Sequence, residues 1–325
     1  MNSQASRPGI LLGYRFNPQF LEQLGKRGEM LGMMDRPHPD AIPANAGGKA
    51  EILVTTGSNG AGDTLLEALP RLRLISCIGT GYDGIDVAAM RRRGVRVTHS
   101  PGANASCVAD LAMGLLIAST RRIAFGDRYI RAGRWDARGQ GRYGRIGGLG
   151  GAKLGILGLG EIGLKVAKRA EAFDMQIGYH NRSKRTDVAY PYLDSAIALA
   201  QWSDHLMVAL RADASNKHII NMELLEALGP RGHVVNISRG VAVDEVALAV
   251  ALRDGVIEGA ALDVFEREPI VHEPLKSLEN IVLTPHLGGG TERATIAMTD
   301  MVLSNIDAFI AGQRLVSPIP ELSDL

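Results

Sequence analysis

The chain's apolar residues gather in short runs of strand length, separated by stretches in which apolar positions recur at helical spacing. Ile10 to Tyr14, Glu51 to Thr56, Leu72 to Ile78 and Val95 to Ser100 predict strands, with helical patterns over Pro18 to Met30 and Asp63 to Leu69. Pro101-Gly102 breaks the pattern, and Ala105 to Arg122 predicts a long, largely apolar helix. From Lys153 the alternation resumes, with strands predicted over 154–157, 175–179, 205–209, 233–237, 259–264 and 280–284. Helices are predicted between them over 161–173, 194–201, 221–228 and 243–253, and a last helix follows Gly288-Gly289-Gly290 over Glu292 to Ala311. Repeated strand–helix alternation argues for an α/β protein with parallel, doubly wound sheets. The stretch Phe125 to Gly151, rich in Arg, Gly and aromatics and without a clear period, is expected to be irregular and exposed, an arm for subunit contact.

One stretch carries more than pattern. Lys153 to Arg182 reads as strand, glycine turn, helix and strand, with Gly158, Gly160 and Gly163 spaced G-x-G-x-x-G between the first strand and the helix. Gly158 allows the tight turn, Gly160 lets the backbone approach a pyrophosphate, and Gly163 lets the helix sit close on the strand. The helix N-terminus offers N–H groups and a positive dipole end to phosphates. An NAD site would place Asp or Glu at the end of the second strand; here His180, Asn181, Arg182, Ser183, Lys184 and Arg185 stand there, with no carboxylate before Asp187. Arg182 can hold a 2′-phosphate bidentately, helped by the Ser183 hydroxyl and the neighbouring Lys and Arg, so the chain is read as preferring NADPH to NADH.

Composition narrows the class. The 325 residues suffice for two domains, and a formal net charge of +1 gives no global field for nucleic acid or an anionic membrane. Two cysteines, Cys77 and Cys107, form neither a disulfide framework nor a metal spacing and are expected to be small core residues, which suits a reducing, cytoplasmic setting. The N-terminus lacks the apolar core of a signal peptide, and the longest apolar run, Leu111 to Ala118, is too short to span a bilayer. No metal site is expected: His38, His99, His180, His205, His218, His233 and His272 show no ligand spacing and are left as structural or solvated.

Ligands of open α/β sheets bind beyond the carboxyl ends of the strands, so the ionisable residues there matter most. Arg239 follows the fourth strand of the second half, the run Asp263 to Pro269 with Glu266 and Glu268 follows the fifth, and His286 follows the sixth. An imidazole titrates near working pH and can act as a general acid, a carboxylate beside it favours imidazolium, and an arginine fork can clamp a carboxylate or a polarised carbonyl. Asp244-Glu245 is read as a helix start.

At these residues the chain resembles the D-isomer-specific 2-hydroxyacid dehydrogenases. The resemblance runs through ISCIGTGYDGIDV (75–87), VADLAMGLLIASTRR (108–122), LGILGLGEIG (154–163), VVNISRGVAVDEVALAVAL (234–252), GAALDVFEREP (259–269) and TPHLGGGT (284–291). It implies that His286 gives a proton to a ketone oxygen while the nicotinamide gives hydride to C2. Glu268 would then support His286, with Glu266 and Arg267 as its exposed neighbours, and Arg239 would clamp the substrate. It implies that Thr80 and Gly81 bind the substrate carboxylate through backbone N–H groups, and that Asp263 bonds the nicotinamide carboxamide. The remaining cofactor contacts it implies are Leu159, Glu161, Ile162, Asn181, Ala209, Leu210, Ile237, Ser238 and Gly288. It further implies a flavodoxin-like substrate domain (1–102 with 291–325) into which a Rossmann cofactor domain (103–290) is inserted. The two long helices, near 105–122 and 292–311, would cross between the domains, and a homodimer would form through the cofactor domain. Within the family the chain most resembles NADPH-dependent glyoxylate/hydroxypyruvate reductases and their hydroxyphenylpyruvate-reducing relatives. Tyr143 would fall where such enzymes carry an aromatic that reaches a neighbouring subunit, and Arg142 replaces the acidic residue expected beside it. Dehydrogenases of D-lactate, 2-ketogluconate or phosphite remain alternatives, as do, more remotely, dinucleotide-sensing co-repressors.

Overall fold

Aliphatic runs bounded by glycine or proline fold as parallel strands in both halves of the chain. The computed structural model describes residues 7–135 and 146–325; Arg142 and Tyr143 lie outside the described residues. The chain divides into one unit that runs to Asn104 and resumes at Glu292–Leu325, and a second from Ala105 to Thr291.

The first unit contains β1 (Gly9–Leu12), α1 (Pro18–Arg27), β2 (Glu29–Met33), β3 (Ala50–Thr56), α2 (Asp63–Ala68), β4 (Leu74–Ile78), α3 (Val87–Arg93) and β5 (Arg96–Thr98). The strands lie in the order β2-β1-β3-β4-β5, all parallel, which is the flavodoxin-like arrangement. Both faces are covered, as a parallel sheet requires. Leu11, Leu53 and Ile75 pack with Leu65 and Met90, while Ile10, Ile52 and Leu74 pack with Leu24 and with Val302, Ile306 and Phe309 of the C-terminal helix Glu292–Ile310. Helix starts follow their caps: the Asn17 side chain accepts from Phe20 N at 2.8 Å before Pro18, and that of Asp86 from Ala89 N at 2.9 Å. The Arg91-Arg92-Arg93 run closes α3, with Gly94 left-handed after it. Met30, expected at the end of the first helix, belongs instead to β2. Gly28 ends α1 in extended backbone, where a Cβ would meet the Pro8 carbonyl.

The second unit holds α4 (Ala105–Thr120), α5 (Ile123–Arg131), β6 (Lys153–Leu157), α6 (Glu161–Glu171), β7 (Gln176–His180), α7 (Ala196–Trp202) and β8 (His205–Val208). It continues with α8 (Met222–Leu228), β9 (His233–Asn236), α9 (Glu245–Arg253), β10 (Gly259–Leu262), α10 (Glu273–Lys276) and β11 (Ile281–Leu283). The parallel order is β11-β10-β9-β8-β6-β7, so successive strands leave β6 in opposite directions, and the crevice at its carboxyl end is the switch point of the sheet. One face packs α4 and α6 through Leu116, Val166 and Ala170; the other packs α7, α8 and α9 through Leu199, Leu225 and Leu248. Two expectations are corrected here. Residues 123–131 are helical rather than irregular; no residue of α5 is buried and Arg122 gives it no side-chain cap, so neither a core stripe nor a cap marked it in the sequence. Cys77 is buried, but Cys107 is only half-buried and lies with its Sγ 2.9 Å from Thr291 Oγ1.

Candidate active site

The glycine turn leaves β6 at the switch point. Gly158 has φ +101°, and a Cβ on it would stand 2.4 Å from Leu210 Cα; one on Gly163 would stand 2.4 Å from the Gly158 carbonyl. A Cβ on Gly160 would meet nothing within 4 Å, so that face of the turn lies open to a ligand. Gly160 caps α6 without any side-chain hydrogen bond, which leaves the helix's first N–H groups to whatever binds there. These features fit a dinucleotide's pyrophosphate. Asn181 fixes the turn from the end of β7, its Oδ1 accepting from Leu159 N at 2.6 Å. Arg182 and Ser183 are exposed; Arg182 pairs with Asp213 at 3.2 Å, and Arg185 is taken up by the Leu159 carbonyl and by Asp187.

The next strand exits carry the ionisable residues singled out in the sequence. After β9, Asn236 organises the turn: its Oδ1 accepts from Ser238 N at 3.0 Å and Ser238 Oγ at 2.9 Å, and its Nδ2 donates to the Arg239 carbonyl at 2.9 Å. Gly240 follows in contact with the Phe265 backbone, where a Cβ would come within 1.8 Å of the carbonyl carbon, so only glycine lets the two exits touch. After β10, Glu268 accepts from Phe265 N at 3.1 Å with Oε1 and pairs with His286 Nδ1 at 2.8 Å with Oε2. That pairing has Nδ1–H donate to the carboxylate and leaves Nε2 outside the pair. The His286 side chain is 46% exposed and that of Glu268 36%, so both are accessible.

His286 is held by strain and by Asp263. Its φ is +52°, unusual for a residue with a Cβ, and its N–H lies 2.8 Å from the Asp263 carbonyl. The Asp263 side chain, on a residue 2% exposed, accepts from Thr284 Oγ1 at 2.7 Å, Leu287 N at 2.7 Å and Gly288 N at 2.9 Å. Those three donors offset the cost of burying a carboxylate and wrap the His286 loop around it. Asp263 is therefore the hub of that loop, with one donor on Oδ2 and two on Oδ1. Ala209 and Ile237 extend the ladder through their N–H groups to Leu157 O and Val208 O.

A second imidazole–carboxylate pair flanks this one: His218 Nε2 lies 3.0 Å from Glu266 Oε1, and Glu266 N donates at 2.8 Å to the buried Glu245. Sequence reasoning set Glu266 and His218 aside and missed Asn236, whose one signal was an Asx-type turn in Asn236-Ile237-Ser238. In the first unit, the Thr80 and Gly81 N–H groups donate to no protein acceptor among the described residues, and the loop is pinned by Thr80 Oγ1 to the Asn104 side chain at 3.0 Å. No cluster of possible metal ligands occurs among the described residues.

A family model described as D-isomer specific 2-hydroxyacid dehydrogenase, NAD binding domain, matches residues 113–288. This chain belongs to the D-isomer specific 2-hydroxyacid dehydrogenases. The dehydrogenase is 40% identical to glyoxylate/hydroxypyruvate reductase A of Arabidopsis thaliana over 96% of this chain and 98% of that one. It is equally identical, over the same shares, to hydroxyphenylpyruvate reductase of Plectranthus scutellarioides. Among solved structures it resembles an NADPH-dependent glyoxylate/hydroxypyruvate reductase from Sinorhizobium meliloti in complex with NADP and malonate. The TM-score is 0.89 at 35% identity, covering 98% of both chains. The dehydrogenase is thus an oxidoreductase that binds a nicotinamide dinucleotide, and the glycine turn of β6 is where its sequence and geometry agree on that.

Proposed function

We propose that the enzyme reduces small 2-oxo acids, glyoxylate and hydroxypyruvate foremost, to D-2-hydroxy acids with NADPH. The observation that carries the reading is the His286–Glu268 pair at 2.8 Å, held at the strand exits of the same unit as the open glycine turn. Gly158 to Gly163 and the start of α6 would hold the pyrophosphate, and Arg182 with Ser183 the 2′-phosphate. When bound, the dinucleotide supplies a hydride for C2 of the oxo acid. His286 holds the proton that goes to the ketone oxygen, so that hydride and proton together complete the alcohol. Glu268 fixes the ring through Nδ1, and Arg239 presents N–H donors to the carbonyl and carboxylate. The Thr80 and Gly81 N–H groups suit the substrate's carboxylate.

The setting assigned to the enzyme is a reducing cytoplasm, and no helix among the described residues is long and apolar enough to cross a membrane. A homodimer through the second unit would cover the exposed Ile123, Ile130 and Trp135 of α5 and its C-terminal flank.

Initial rates of NADPH and NADH oxidation with glyoxylate, hydroxypyruvate and 4-hydroxyphenylpyruvate test the reading. The expected result is turnover of the first two with NADPH ahead of NADH. A clear preference for the aromatic substrate would shift the reading to the Plectranthus-like activity, and no turnover with any 2-oxo acid would end it.

A further inference from the structure

Arg182, the exposed guanidinium at the end of β7, is not alone. Its NH1 donates to Asp213 Oδ2 at 3.2 Å, with side chains 78% and 34% exposed respectively. Asp213 comes from the loop after β8, and β6 lies between β7 and β8, so the ion pair reaches across the exit of β6, where the glycine turn sits. Asp213 is rigidly mounted. Its Oδ1 caps a short turn by accepting from Ser215 N at 2.9 Å, and its own N–H donates to Asn216 Oδ1 at 3.0 Å. Hydrogen bonds from the Ser215 hydroxyl and the Ser215 N–H, then the charges of Arg182 and Arg211, hold its carboxyl below the usual range, so it stays charged at neutral pH.

We infer that Asp213 sets the enzyme's cofactor selectivity by competing with the 2′-phosphate for Arg182. This rests on the NADPH reading of Arg182 given above. A 2′-phosphate that takes Arg182 must displace the carboxylate and then sit near its negative charge, which disfavours NADPH by like-charge proximity. A 2′-hydroxyl leaves the Arg182–Asp213 pair intact. The pair therefore tempers the preference for NADPH and keeps NADH usable. Removing only the charge, as in Asp213→Asn, frees Arg182, supplies an amide donor for the phosphate, and keeps an oxygen for the Ser215 cap.

The test is fluorescence titration of NADPH and NADH onto wild type, Asp213→Asn, Arg182→Ala and the double variant, at low and high salt, with circular dichroism to confirm folding. Asp213→Asn should raise the ratio of the NADH to the NADPH dissociation constant by about fivefold or more at low salt, less at high salt. The gain should shrink when Arg182 is already alanine. An unchanged or lowered ratio in Asp213→Asn overturns the inference. If wild type binds NADH more tightly than NADPH, the NADPH preference is wrong, yet a raised ratio in Asp213→Asn still supports Asp213 as the selector.

Discussion

Asn236 illustrates how much of a site can rest on a residue that touches no substrate. Its amide holds both the Ser238 side chain and the Arg239 carbonyl from a fully buried position. Replacing it with alanine leaves those partners unsatisfied, so Asn236→Ala should lose about 1–3 kcal/mol in urea unfolding and about 10- to 100-fold in kcat/KM. A loss of stability with kcat/KM intact would remove Asn236 from the positioning of Arg239. At Gly240 the reason is steric: Gly240→Ala forces the β9 and β10 exits apart and should cost about 3 kcal/mol or more, seen as a lowered Tm with weakened catalysis. Arg239 and His286 were legible as candidates because they are ionisable residues at strand exits, and Glu268 through the family resemblance. Asn236 and Asp213 were not, because their work is hydrogen bonding within turns or across a sheet edge, which leaves no pattern along the chain.

The elements themselves were read from period and punctuation, and the strands of the second unit fall within a residue or two of their expected ends. What escaped was β2, hidden behind the helical pattern of α1, α5, which has no buried face to impose a period, and the four-residue α10, too short to show one. The histidines set aside as structural also proved informative. His205 and His233 open β8 and β9, their rings 5.4 Å apart, with His233 Nδ1 2.9 Å from Ser119 Oγ. Burial, with the neighbouring His205, lowers His233 to about 4, and burial lowers His205 against the opposing pull of Asp204. Since the folded state resists protonation that the unfolded chain accepts below about 6.5, stability should fall as pH drops from there towards 4, by up to about 3 kcal/mol from His233. Urea unfolding between pH 7 and 4.5 should show that slope in wild type and a shallower one in His233→Gln; equal slopes would exclude His233 as the cause.

At the scale of the molecule, the order of strands and helices announced two doubly wound sheets, and the strand orders β2-β1-β3-β4-β5 and β11-β10-β9-β8-β6-β7 supply what periodicity cannot, since pairing is set by contacts far apart in sequence. A dimer through α5 predicts a mass twice that of the chain in sedimentation equilibrium, and Ile130→Asp should shift it towards the monomer. The proposed chemistry turns on His286 as the proton donor. The most direct measurement pairs NADPH binding with glyoxylate turnover in wild type and His286→Ala. A dissociation constant within a few-fold of wild type, with kcat reduced by about 10²-fold or more, is what the Glu268–His286 geometry predicts. Near-wild-type kcat in a variant that binds NADPH normally would contradict it.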